Sequence, residues 1–136
     1  MITFCLIVNR QCQSRFARYY GGIPKDRSAF ERDVARRCII RKPGHCHFFS
    51  TDDVGKIVFR RYASLYFIFG CDSEENEFAL LELIQNCVET MDAYFENVTE
   101  LDLLCNLEKV HWIMDDIVAK GLVGETNRER ILEIRR

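Results

Sequence analysis

The stretch Lys56 to Cys71, KIVFRRYASLYFIFGC, constrains the fold more than any other part of the chain. Lys56 to Tyr62 is rich in β-branched and aromatic residues, and Leu65 to Phe69 is almost wholly apolar, as in a strand covered on both faces. A break near Ala63-Ser64 separates the two. The segment therefore predicts two adjacent strands, the second of them central. Ala63, Ser64 and Leu65 form a small-small-apolar step where a helix or an incoming peptide can approach the backbone closely.

The chain has 136 residues, 48% of them hydrophobic and 29% charged, enough for one domain spanning residues 1–136 with a sizeable core. A net charge of -2 argues against a general nucleic-acid binder, which carries a strong positive excess. Seven cysteines lie scattered among mostly apolar neighbours, the usage expected in a reducing cytosol. Glu77, Glu82, Gln85 and Glu89 interrupt the longest apolar candidate before it reaches the roughly 18 residues of a membrane span.

In chain order, Ile2 to Asn9 reads as a buried strand, too short for a targeting segment, and Ser14 to Tyr20 as its antiparallel partner. On that edge strand Arg15 is expected on the face opposite Phe16. Gly21-Gly22 and Pro24 break the pattern. Pro24 to Arg41 predicts a helix with Phe30, Val34, Cys38 and Ile39 inward and Arg32, Arg36, Arg37 and Arg41 on a solvated face. His45 to Phe49 predicts a short strand, and Thr51 to Gly55 a turn. Glu77 to Glu96 predicts a long helix with an apolar stripe that includes Val88. A second long helix is expected from Glu100 to Lys120, with Leu101, Leu104, Val110, Ile113, Met114 and Ile117 inward. Asn97-Val98 joins the two, Gly121 is expected as a C-cap, and residues 125–136 as a further helical turn or more.

Chemistry is sparse along the chain. His45, His47 and His111 have no nucleophile or carboxylate grouping around them, and no glycine-rich phosphate loop is present, so an enzyme is not expected. Cys38, His45, Cys46 and His47 invite a metal reading. Adjacent strand residues point to opposite faces, and no second ligand pair exists at metal spacing, so neither a metal nor a cofactor is expected.

Several stretches resemble the small, or sigma, chain of the clathrin-type adaptor protein complexes. They are ITFCLIVNRQ at the start, Arg15 before Tyr19-Tyr20, RRYASLYF at 60–67 and Asn76-Glu77. LELIQNCVETMDAYFENVTELDLL at 81–104, KVHWIMDD and GLVGET continue the likeness across almost the whole chain. The ending VGETNRERIL looks most like the fourth adaptor complex, with the first and second next in likeness. The lack of an insertion before Lys56 sets the chain apart from the third. Departures are Cys12, where the family usually has glycine, Ser50, often glutamate, and Cys105-Asn106-Leu107, usually more aromatic. Relatives carry a longer C-terminal helix past Arg136.

The resemblance implies an α+β, longin-like (profilin-like) α-β-α sandwich. Its sheet is five-stranded and mainly antiparallel, with one helix on one face and two on the other. It implies a subunit set against the N-terminal trunk of a large adaptor chain, and through it the medium chain and second large chain. Such coats lie on the cytoplasmic face of Golgi, endosomal or plasma membranes, in indirect membrane contact. The implied cargo is an acidic dileucine signal, [DE]xxxL[LI]. Carried over by position, Ala63, Leu65, Val88, Val98 and Leu103 line the two leucine pockets, Asn97 and Glu100 form their rim, and Arg15 faces the acidic residue. An open pocket of this kind would tolerate aspartate at Val88. Two other readings stand beside it: a coat subunit that only braces, and a longin domain of another trafficking assembly.

Overall fold

The computed structural model describes residues 2–41, 48–72 and 76–122. Its elements are β1 (Ile2–Asn9), β2 (Ser14–Tyr19), α1 (Arg27–Ile39), β3 (Phe48–Thr51), β4 (Gly55–Tyr62), β5 (Leu65–Cys71), α2 (Glu77–Phe95), α3 (Glu100–Cys105) and α4 (Leu107–Leu122). The strands form one five-stranded sheet in the order β2-β1-β5-β4-β3, antiparallel at every pairing. Strand β5 is thus the middle strand, and β2, carrying Arg15, is an edge.

Alternation along β1 and β5 divides the core into two layers. Phe4, Leu6, Val8, Tyr66 and Ile68 face α1 and pack on its Val34, Ala35 and Cys38. Cys5, Ile7, Leu65, Phe67 and Phe69 face α2, α3 and α4, meeting Ile84, Cys87, Met91, Leu103 and Met114. The α-β-α sandwich follows from this pattern, because a strand apolar on both faces needs a cover on each. Burial pushes the Cys38 and Cys87 thiols up to about 12. Among the described residues no helix is long and apolar enough to cross a membrane.

Several boundaries differ from the sequence reading. Helix α1 starts at Arg27, not Pro24, because the Asp26 side chain caps it by accepting the Ala29 amide at 3.1 Å. Strand β3 is described over Phe48–Thr51, and the expected strand residues His45, Cys46 and His47 lie outside the described residues, as do residues 125–136. The long helix expected from Glu100 to Lys120 is two helices, parted at Asn106, whose backbone leaves the helical region at φ -129° and ψ 39°. Within α3, Leu101 and Leu104, expected in the core, are exposed, while Leu103 is fully buried. Helix α4 runs through Gly121, expected as its cap, to Leu122.

The strand turns use left-handed backbone at residues other than glycine. Cys12, in the β1–β2 turn, sits at φ 63°, and Ala63, in the two-residue turn between Tyr62 and Leu65, at φ 53°. Glycine is the residue most at ease in that conformation, so Cys12 and Ala63 both hold it at some conformational cost.

Candidate functional site

Arg15 is displayed by an irregularity in the sheet. Along the β1–β2 ladder Ile7 pairs with Phe16 and Val8 with Ser14, so Arg15 is the extra residue of a bulge. A bulge leaves its residue out of the ladder and re-aims the side chain. The Arg15 Nε lies 2.6 Å from Glu100 Oε1 at the first turn of α3, and its Nη2 donates to Gln13 Oε1 at 3.0 Å. Strict alternation puts Arg15 on the face of the edge strand opposite Phe16 and gives it no partner. The structure pairs it instead, with the two side chains 25% and 31% exposed.

Asn9 organises the same corner. Its Oδ1 accepts the backbone N–H groups of Gln11 and Gln13 at 3.0 and 2.9 Å, which closes the turn. Its Nδ2 donates to Gln13 Oε1 and to Glu100 Oε1, both at 2.8 Å. These bonds satisfy a side chain of a residue only 3% exposed. The Asn9 amide and the Arg15 guanidinium hold Glu100 below its ordinary pKa. With the folded value below the unfolded one, this contribution to stability is complete above the ordinary carboxylate pKa. It is lost as pH falls through the folded value.

The joint between α2 and α3 carries the apolar part of the site. Glu96 and Asn97 take left-handed φ values of 53° and 78°, turning the chain so that Val98 points into the core. The Asp92 carboxylate accepts the Val98 N–H at 3.2 Å and the Tyr62 hydroxyl, tying the joint to the end of β4 beside Ala63. Hydrogen bonding to Asp92 raises the Tyr62 phenol above its ordinary pKa. Thr99 and Asp102 form a reciprocal capping box that starts α3.

Leu65 from β5, Val88 from α2, Val98 from the joint and Leu103 from α3 belong to one core cluster. They are 0%, 3%, 3% and 0% exposed, so these side chains fill the space the sequence reading assigned to an open pocket. Ala63 and Asn97 are exposed at turns on either side. Glu100 is the link: it begins the helix that carries Leu103 and is held by Arg15 and Asn9. The sequence reading missed Asn9, Gln13, Asp92 and Tyr62. Only the capping box, Thr99-x-x-Asp102, left a local signal.

Comparison with known proteins covers the chain almost end to end. A family model described as clathrin adaptor complex small chain matches residues 1–135. The AP-4 complex subunit sigma of Arabidopsis thaliana is 45% identical over 132 residues, which are 96% of this chain and 92% of that protein. The human AP-4 complex subunit sigma-1 is 43% identical over 133 residues, 97% of this chain and 92% of that protein. A chain in a homology model of the full-length AP-3 complex in a stretched open conformation superposes with a TM-score of 0.75 at 31% identity. That superposition covers 98% of this chain and 90% of the other. On these matches the chain belongs to the clathrin adaptor complex small chain family, the small subunits of adaptor protein complexes in vesicle trafficking.

Proposed function

We propose that this small chain braces the N-terminal trunk of a large adaptor chain and, with it, binds acidic dileucine signals of membrane cargo at the Arg15–Glu100 corner. The carrying observation is convergence: Leu65, Val88, Val98 and Leu103 come from four separate segments into one cluster, and Arg15 is bound to the helix that bears Leu103. Two leucines leaving water contribute roughly 1.5–3 kcal/mol each. An arginine adds a charge-assisted hydrogen bond at a fixed distance from them. Because the cluster is closed, the signal's leucines enter by displacing Val98 and Leu103, the cluster members carried by the α2–α3 joint and by α3.

Bracing is supported by large apolar side chains left in water. Phe78, Leu101, Leu104, Leu107 and Trp112 are exposed on α2, α3 and α4, the helices of one face of the sandwich. Interfaces of permanent complexes bury roughly 2,000 Å² or more and are apolar in character. The medium chain and the second large chain would be reached through that trunk, and the chain acts as a peripheral coat component. The closed cluster favours a second reading, in which the chain only braces and reads no signal.

Arg15→Ser separates the two. The variant is expected to fold and assemble, since a partly exposed ion pair contributes about 1 kcal/mol or less. Its affinity for an acidic dileucine peptide, measured by calorimetry on the small-chain and large-chain pair, should fall several-fold at low salt, where charge effects are largest. An unchanged affinity at low salt would remove Arg15 from the signal site.

A further inference from the structure

The geometry points to Glu100 as the residue that sets charge selectivity, by occupying Arg15 until an acidic residue of the signal takes its place. The inference rests on the dileucine reading above. Arg15 is not a free cation waiting for a ligand: its Nε already donates to Glu100 at 2.6 Å and its Nη2 to Gln13 at 3.0 Å. A carboxylate arriving there exchanges with one already present. Such an exchange is worth less than the capture of a solvated arginine, because one charge-assisted bond is broken for each one made. Glu100 has somewhere to stay while it yields, since the Asn9 amide donates to the same Oε1 at 2.8 Å. Asn9 cannot follow, being fixed by the Gln11 and Gln13 amides. Arg15 also lines a cleft of about 230 Å³ whose walls include Phe16, Arg27, Glu31, Leu107 and His111 but not Glu100.

The arrangement also couples charge to the apolar cluster. Glu100 opens α3, and Leu103 of that helix is fully buried in the cluster with Val88 and Val98. Releasing Glu100 from Arg15 removes one of the two bonds it makes to the β1–β2 corner, leaving the one to Asn9. The joint that must open for leucine side chains is thereby loosened when the acidic residue binds.

The test is a cycle of two proteins and two peptides, titrated at low salt by calorimetry into the small chain assembled with its large chain. The proteins are the native chain and Glu100→Gln, which keeps the size and the acceptor for Asn9. The peptides are an acidic dileucine peptide and the same peptide with serine at the acidic position. Glu100→Gln is expected to raise the preference for the acidic peptide about two- to fivefold, the worth of a partly exposed ion pair, with little change for the serine peptide. Equal changes for both peptides, including none, would overturn the role of Glu100 and leave the dileucine reading standing. Absence of binding by both proteins to both peptides would remove that reading and this inference with it. If glutamine impairs assembly, Glu100→Asp reads the same ratio and should raise it less.

Discussion

Val88→Asp is expected to unfold the chain or destabilise it severely. Val88 lies on α2 between Ile84 and Met91, is 3% exposed, and shares its cluster with Leu65, Val98 and Leu103. A carboxylate placed there without a cation costs about 3–5 kcal/mol, a large part of the roughly 5–15 kcal/mol by which a domain is stable. Co-expression with a large adaptor chain should then give no assembled pair, or one that melts far below the native pair. The contrary result is informative: an assembled pair with an unchanged melting profile that fails to hold a dileucine peptide would mean that Val88 faces an open pocket in the resting chain.

Gly70→Ala is expected to destabilise the sheet at its centre. Gly70 pairs with Phe4 across β1 and β5, and a Cβ added to it would stand 2.0 Å from Phe4 Cε1 and 2.4 Å from Cζ. The ring cannot simply swing aside, because it packs edge-on against Phe30 with centroids 5.1 Å apart. Overpacking of this kind costs about 1–3 kcal/mol, roughly 4–15 °C in melting temperature for a domain of this size. Phe4→Leu in the same chain should recover part of the loss. An unshifted melting temperature in Gly70→Ala would contradict the placement of Phe4 over Gly70.

Much of this fold was legible because strand patterning is local. β1 is found at Ile2–Asn9 as read, and the Ala63-Ser64 break falls between β4 and β5. The division at Asn106 was not legible, because apolar residues continue on both sides of it at spacings that suit one unbroken helix. Leu101 and Leu104 were misplaced for the same reason. The bulge at Arg15 was hidden for a different one. Alternation within a strand says nothing of an extra residue, which exists only relative to the partner strand.

The proposed site rests on family likeness and hardly at all on composition. Val88 and Leu103 look like any other members of an apolar stripe, and they are core residues in the resting chain. The pairing of Arg15 with Glu100 joins residues 85 positions apart, beyond the reach of any local pattern. Asn9 and Asp92 are single polar residues with no spacing to mark them, yet they hold the turn and the joint beside the proposed site.

The most direct measurement is calorimetric titration of an acidic dileucine peptide, and of its counterpart with both leucines replaced by alanine, into the assembled pair of small and large chains. Saturable binding of the first peptide and none of the second is predicted, with hydrogen exchange at the Val98 and Leu103 amides altered when the first is bound. Equal behaviour of the two peptides, or a stable assembled pair that binds neither, would contradict signal binding and leave this small chain a brace.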